Sequence, residues 1–150
     1  MRARILLGAL LFSAAMIFLV LSPRPAMAAT CYGSSCDGQS PSATGCSSDA
    51  SVVSSAKIYD DYGGWIGTIY HLWSATCQAG YGETVTLGFN ASYITAQMYV
   101  SSTVNYLSYD HNLPRISSPM LSSSPSNLSV CGNIRMGAVG SSPTGGACTP

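Results

Sequence analysis

Apolar and polar residues alternate strictly along residues 93–100, as they do in a half-buried β-strand, because successive side chains point to opposite faces of a sheet. One face of this segment is apolar and consists of Ile94, Ala96, Met98 and Val100. The opposite face consists of Tyr93, Thr95, Gln97 and Tyr99. We predict a strand whose first face lies on the core and whose second face presents tyrosine and polar side chains outward.

Four further segments carry strand signals. Residues 84–89 also alternate, and residues 51–58, 65–73 and 104–109 contain β-branched or aromatic side chains at strand-like spacing. The turn signals between them are Asp60-Asp61-Tyr62-Gly63-Gly64 and Gly80-Tyr81-Gly82. Four or five strands joined by short turns predict a mainly β fold, either a small antiparallel sheet or a sandwich, over residues 51–109.

The segments on either side of this region have a different composition. Residues 29–50 are rich in cysteine, glycine and serine, which is typical of turns, and predict a loop region stapled by disulfides. Residues 110–150 contain 19 Ser, Pro or Gly residues among 41 and predict a loop-rich surface segment. Prolines within it argue against central strands.

The first 28 residues have the layout of a cleaved secretory signal peptide. Two arginines precede an apolar run over residues 5–21, and Ala26-Met27-Ala28 fits the small-x-small pattern of a signal peptidase site. A retained anchor helix is the alternative, but 17 residues are few for the roughly 30 Å of a bilayer core. Lipidation is disfavoured because Cys31 lies ten residues beyond the run. We predict one exported domain over residues 29–150.

Removal of this segment changes the charge balance. The chain has 6 basic and 6 acidic residues, but three of the arginines precede residue 29, which leaves a formal charge of −3. No excess of Lys and Arg remains to neutralise phosphates, so a basic nucleic-acid-binding protein is excluded. Because few aliphatic residues remain, we expect Trp65, Trp73 and Phe89 to pack the core, with cross-links adding stability.

All six cysteines lie beyond the predicted cleavage site, and in an exported chain they predict three disulfides. They are Cys31, Cys36, Cys46, Cys77, Cys131 and Cys148. The sequence leaves fifteen pairings open, although Cys131 and Cys148 are favoured as partners because both lie far from the other four. A zinc site is a weaker interpretation because no C-x-x-C pair is present. We expect no metal and no other cofactor.

Catalytic signatures are weak. Asp110 and His111 could form a triad with any of many serines, so the coincidence is uninformative, and no G-x-S-x-G motif is present. We expect His71 to be partly buried and hydrogen-bonded, and His111 to be solvated. Asp60 and Asp61 are expected in turn hydrogen bonds rather than as paired catalytic carboxylates. We therefore expect no enzymatic activity.

The outward face of residues 93–100 is the candidate binding surface. Flat tyrosine rings alternating with Thr95 and Gln97 suit a sugar ring or a protein partner, because a rigid ring buries area at little entropic cost. The alternative is cross-strand packing that only stiffens the sheet. We expect a cell-wall glycan or an extracellular protein as partner, and neither nucleic acid nor membrane.

Several cysteine-containing motifs resemble a known family. They are the run from Cys31 to Ala50 (Cys-x4-Cys-Asp-Gly-Gln-Ser-Pro-x-Ala-Thr-Gly-Cys-x-x-Asp-Ala), Ile66-Gly67-Thr68-Ile69, Ser74-x-x-Cys77-x-Ala79 and Cys131-Gly132-Asn133-Ile134. With these motifs the chain resembles the domain of unknown function 2690 family, the YjfA-like proteins. The resemblance implies a small, cysteine-containing, mostly exported bacterial protein with no assigned activity. Where members tend to carry Glu, Arg and Trp, this chain has Tyr70, Leu72 and Tyr81.

We predict a secreted, non-catalytic β domain that acts by binding or as a structural factor at the cell envelope or in the extracellular space. Asp37 and Asp49 are expected to organise the N-terminal turns. One alternative is a protease inhibitor that presents Asn112-Leu113-Pro114-Arg115-Ile116 as its inhibitory loop. A second alternative is a small secreted hydrolase that uses His111.

Overall fold

Eight β-strands form two four-stranded antiparallel sheets in the computed structural model, which describes residues 28–101, 103–137 and 144–149. The strands are β1 (Ser51–Tyr59), β2 (Trp65–Ser74), β3 (Ala79–Thr86), β4 (Tyr93–Val100), β5 (Thr103–Asp110), β6 (Arg115–Ser117), β7 (Leu128–Arg135) and β8 (Thr144–Cys148). Sheet 1 has the order β1-β2-β3-β6, and sheet 2 has the order β5-β4-β7-β8. The mainly β prediction is confirmed. The predicted signal peptide lies, apart from its last residue, outside the described residues.

The turn between β1 and β2 is built by Asp60. Its Oδ1 accepts hydrogen bonds from the backbone N–H groups of Tyr62 (3.0 Å) and Gly64 (2.7 Å). Gly63 adopts a φ of +83°, which a residue without a Cβ tolerates. This turn carries Asp61 to the end of the sheet, where it contacts β8.

The core lies between the two sheets. Sheet 2 contributes the inward face of β4, where Ile94, Ala96 and Met98 are fully buried, as the alternation predicts. Sheet 1 contributes Ile58 and Ile69, which are equally buried.

Two glycines let the sheets approach closely. A Cβ at Gly67 on β2 would collide with the Cδ1 of Ile134 on β7, and a Cβ at Gly132 on β7 would collide with Thr84 Oγ1 on β3. The core is thin because glycine, rather than a large side chain, stands at these contact points.

The segment over residues 110–150, expected to be loop-rich and at the surface, also contains β6, β8 and the central strand β7. This strand lies between β4 and β8, and its inward residues Leu128, Val130 and Ile134 are buried. The remaining inward position holds Gly132, which faces Thr84 across the core. The strand was hidden in the sequence because a glycine interrupts the apolar alternation and serines surround it.

The expectation that Trp65 packs in the core is also wrong. Trp65 begins β2 beside the turn and is 44% exposed. Lys57 Nζ lies 4.5 Å from the centre of its ring, and its Nε1 donates a hydrogen bond to Gly67 O at 2.7 Å. The ring thus makes a surface cation–π contact. Trp73 and Phe89 are partly buried against the core.

Three disulfides join all six cysteines. They are Cys31–Cys36, Cys46–Cys77 and Cys131–Cys148, the last being the pair that sequence proximity favoured. Cys31–Cys36 lies within residues 31–50, which we call the N-terminal knot, and Cys46–Cys77 binds this knot to the turn between β2 and β3. The third joins paired residues of β7 and β8. Three disulfides indicate an oxidising compartment, extracellular or periplasmic.

Two aspartates hold the N-terminal knot to neighbouring loops. Asp49 accepts hydrogen bonds from Ser74 Oγ (2.6 Å) and Thr76 N (2.8 Å), and Asp37 accepts one from Ser122 N (2.6 Å). Burial disfavours the charged form of Asp49, but these hydrogen bonds outweigh it and hold the pKa of its carboxyl below the usual 3.8. Asp37 and Asp49 were expected to organise turns within the N-terminal knot. Both also bind the knot to the rest of the domain.

In the part of the chain that the structure describes, no helix is both long enough and apolar enough to cross a bilayer.

Candidate binding groove

The outward face of β4 forms a polar strip on the outer face of sheet 2. Tyr93, Gln97 and Tyr99 are half-buried, and Thr95 is only 2% exposed. Strands β5 and β7 lie on either side of the strip, because β4 pairs with both of them. Within the strip, the Tyr99 hydroxyl donates a hydrogen bond to Gln97 Oε1.

A groove of about 390 Å³ runs beside this strip. It is lined by residues of β4, β7 and β8 and of the β1–β2 turn. These residues are Asp61, Tyr93, Thr95, Gln97, Asn133, Ile134, Arg135, Thr144, Gly145 and Gly146. Three of the four residues predicted from the alternation therefore line the groove, while Tyr99 lies outside it.

Thr95 and Asn133 form the floor of the groove. They are paired across β4 and β7, and Asn133 donates to Thr95 Oγ1 from both its backbone N and its side-chain Nδ2, each at 3.2 Å. On β8, Gly146 pairs with Asn133, and a Cβ there would collide with Asn133 Oδ1. Because Gly146 has no side chain, the amide of Asn133 fits beside it and remains part of the groove lining.

Tyr93 lies at one end of the groove in an aromatic and cationic cluster. The guanidinium of Arg135 is 5.7 Å from the centre of its ring. The rings of Tyr109 and His111 lie 6.3 Å and 5.3 Å away, measured between ring centres. This end of the groove therefore offers an aromatic ring and a positive charge together.

Asp61 forms the rim of the groove. Its Oδ2 accepts hydrogen bonds from the N (3.1 Å) and the Oγ1 (3.2 Å) of Thr144. These contacts hold the first residue of β8 against the β1–β2 turn. The groove lining therefore contains one negatively charged side chain, Asp61, and one positively charged side chain, Arg135.

A comparison with known protein families matches the part of the chain that contains most of these strands. The profile of the family described as "Protein of unknown function (DUF2690)" matches residues 34–129, more than half of the chain. The chain belongs to the DUF2690 family. This confirms the resemblance seen in the cysteine motifs. No curated protein and no solved structure matches the chain.

The family match includes only part of the groove. In this DUF2690 protein the matched region contains β4 and the β1–β2 turn, but it ends before Asn133, Arg135 and Thr144. Sequence reasoning missed the same three residues because they lie in the segment expected to be a loop. The alternation of Leu128 and Val130 was the available signal for β7.

The residues that stand where we expected the family's Glu, Arg and Trp lie in or near the core. Tyr81 is 4% exposed, and Tyr70 and Leu72 are half-buried. Burial, with smaller contributions from the charges of Glu83 and Asp49, raises the pKa of Tyr81 to about 12. A neutral, buried tyrosine fits the apolar character of these replacements.

His71 is buried as expected, but the expectation that it is hydrogen-bonded is wrong for its Nε2. This atom has no hydrogen-bond partner among the described residues. It lies beside Gly80 of β3, where a Cβ would be 3.2 Å away, next to Leu128. Burial in this apolar surrounding lowers the pKa of His71 below the usual 6.5.

Asp110 and His111 are not arranged as a catalytic pair. Asp110 Oδ1 accepts a hydrogen bond from the backbone N–H of His111 at 2.7 Å, whereas the ring Nδ1 of His111 lies 2.8 Å from Ser92 O. The exposed position expected for His111 is found. The hydrolase alternative gains no support from this pair.

The last two residues of the segment proposed as an inhibitory loop, Arg115 and Ile116, belong to β6 of sheet 1. Pro114 O accepts a hydrogen bond from Thr86 N at 2.9 Å, and Arg115 pairs with Val85 in the β3–β6 ladder. Arg115 also lies 3.6 Å from the carboxylate of Glu83. The inhibitor alternative gains no support, because the backbone that a protease would engage is already hydrogen-bonded within the protein.

Proposed function

We propose that this DUF2690 protein is a non-catalytic extracellular binding protein whose groove on sheet 2 binds a sugar chain of the cell envelope. The observation that carries the proposal is the presence, in one groove, of the Tyr93 ring and the planar amides of Gln97 and Asn133. The three disulfides support a site of action outside the cytoplasm.

The chemistry of the groove matches that of a hexopyranose. Sugar hydroxyls both donate and accept hydrogen bonds, and side-chain amides offer both functions at a fixed spacing. Gln97 Nε2 and Asn133 Oδ1 find no partner in the described part of the chain, so both remain available to a ligand. Tyr93 supplies an apolar ring for the C–H face of a sugar.

The floor of the groove is preorganised. The Thr95–Asn133 pair is fixed by the β4–β7 ladder and by two side-chain hydrogen bonds, so little conformational freedom is lost on binding. The absent Cβ of Gly146 makes room for the amide of Asn133. The groove is therefore suited to a chain that lies along the sheet surface.

The proposal is tested by co-sedimentation with purified insoluble cell-wall material. Wild-type protein should sediment with the walls, and Tyr93→Ala and Asn133→Ala should each weaken binding about tenfold, the effect of losing one ring contact or one hydrogen-bonding amide. Tyr32→Ala is the matched control, because Tyr32 is a 68% exposed tyrosine of the N-terminal knot outside the groove.

Thermal melting of each variant checks that its fold is intact. Absence of wild-type protein from the pellet would refute the proposal. So would equal retention of wild type and the two groove variants.

A further inference from the structure

Four of the six cysteine sulfur atoms converge at the N-terminal knot. The Sγ atoms of Cys31, Cys36, Cys46 and Cys77 all lie within 4.8 Å of one another. Cys31 and Cys46 belong to different disulfides, yet their sulfur atoms are 3.6 Å apart. The remaining disulfide, between β7 and β8, lies outside this cluster.

This spacing is close to that of four thiolates around one zinc ion. With zinc–sulfur bonds of about 2.3 Å, the ligands of a tetrahedral site are about 3.8 Å apart. The contact between Cys31 and Cys46 already has this length. The bonded sulfurs would need to separate by only about 2 Å, which side-chain rotation can supply. Cys36, Cys46 and Cys77 are fully buried and Cys31 is 9% exposed, as suits a closed structural zinc site.

Contacts other than the disulfides also hold the cysteines in place. Gly33 N donates a hydrogen bond to Cys77 O at 2.8 Å, which links the start of the N-terminal knot to the β2–β3 turn. Asp49 binds the same turn through Ser74 and Thr76. These hydrogen bonds join the sulfur-bearing segments independently of the disulfides.

One side chain next to the cluster can also orient a thiolate. Thr44 Oγ1 lies 3.1 Å from Cys46 Sγ and can donate its hydroxyl proton to that sulfur. Such outer contacts position metal ligands and tune their basicity.

We propose that in the reduced protein Cys31, Cys36, Cys46 and Cys77 bind one Zn²⁺ as four thiolates. Each disulfide first takes two electrons and two protons from a dithiol reductant, which becomes a disulfide itself. The four thiols then release four protons as zinc binds. The N-terminal knot would thus keep its fold through zinc under reducing conditions and through disulfides under oxidising conditions. This inference does not rest on the sugar-binding groove.

The test is a cobalt(II) titration of the full chain. The protein is reduced with a phosphine, freed of the reductant under nitrogen and titrated with Co²⁺, which reports its coordination by visible absorption. We expect one Co²⁺ per chain, the strong bands of tetrahedral cobalt with thiolate charge transfer, and loss of those bands when Zn²⁺ is added.

Two double variants locate the site. Cys131→Ser/Cys148→Ser should bind cobalt as the wild type does, because it leaves the cluster intact. Cys46→Ser/Cys77→Ser should lose the tetrahedral bands, because only two thiolates remain in the cluster.

The proposal is overturned if the reduced wild type takes up no cobalt or gives only the weak bands of six-coordinate cobalt. It is also overturned if the two double variants bind alike. Should reduction unfold the protein, zinc must restore the near-ultraviolet circular dichroism of its aromatic residues, and failure to do so counts against the site.

Discussion

The two cysteine-containing ends of the domain are built in different ways. Three of the four cysteines of the first two disulfides lie in the N-terminal knot, which contains no strand, and short 3-10 turns at Gly33–Cys36 and Cys46–Ser48 carry two of them. The fourth, Cys77, lies in the turn between β2 and β3. At the other end, the disulfide between Cys131 and Cys148 joins two strands that a backbone ladder already pairs. The same covalent bond therefore supplies much of the order in one region and reinforces existing order in the other.

The largest expected effect is the loss of the Cys46–Cys77 disulfide. It closes a loop of 31 residues, whereas Cys131–Cys148 closes one of 17. In the chain-entropy model, replacing both cysteines by alanine should lower the free energy of unfolding by about 4 kcal/mol for the first pair and about 3 kcal/mol for the second. Urea denaturation of the two oxidised double variants checks this order. The reverse order would mean that β7 and β8 depend on their cross-link more than the N-terminal knot does.

The second-largest expected effect is a dependence of the free energy of unfolding on pH, and it originates from His71 in sheet 1. Because burial lowers the pKa of His71 in the folded state, the unfolded chain binds more protons below the usual 6.5. The free energy of unfolding should therefore be highest above pH 6.5 and fall by up to about 1.4 kcal/mol per pH unit below it, until the lowered pKa is reached.

Chemical denaturation between pH 5.5 and 7.5 measures this slope. His71→Leu should flatten this slope, because it removes the buried imidazole. A slope that survives in His71→Leu would assign the acid sensitivity to another group.

A smaller effect is expected at the contact between the N-terminal knot and sheet 1. Asp49→Ala removes the acceptor for Ser74 and Thr76, which should cost about 1 kcal/mol at pH 7, since water can replace part of these exposed hydrogen bonds. Because the folded-state pKa of Asp49 is lowered, its contribution is present above pH 3.8 and disappears as the pH falls through the lowered value. Urea titrations of wild type and variant at pH 7 and pH 3 test this, and an equal difference at both pH values would contradict it.

The smallest effect concerns the opposite end of the molecule. Asp61→Asn weakens the acceptor for Thr144 on the surface, so global stability should change by less than about 0.5 kcal/mol. Locally, the amide of Thr144 should exchange its hydrogen faster, whereas the amide of Thr76 in the β2–β3 turn should not. Hydrogen-exchange mass spectrometry separates the two, and unchanged exchange at Thr144 would show that backbone pairing alone holds the start of β8.

The sequence predicted elements whose pattern is complete within a few residues. The alternation over residues 93–100 correctly assigned the inward face of β4, because period-two burial is a local property. It could not show that Thr95 is covered, since its neighbours Asn133 and Gly146 come from distant strands. The local sequence around Trp65 likewise could not show that this residue lies at the solvent-exposed end of the β1–β2 hairpin.

What the sequence could not predict depends on contacts between remote segments. The contact between Asp61 and Thr144 at the rim of the groove joins two residues that are 83 positions apart in the sequence. The convergence of four sulfurs likewise depends on Cys77, which lies 31 residues beyond Cys46. A local spacing rule such as C-x-x-C does not detect cysteines that the tertiary fold brings together.

The position of β7 between β4 and β8 also determines the order in which the domain can be completed as the chain emerges during synthesis or export. Every strand of sheet 1 precedes residue 118, but β4 has only one neighbour, β5, until residues 128–135 arrive. During that interval one side of β4 presents unpaired N–H and C=O groups that can bind another extended chain. Pairing of β7 with β4 thus closes an edge that would otherwise favour aggregation.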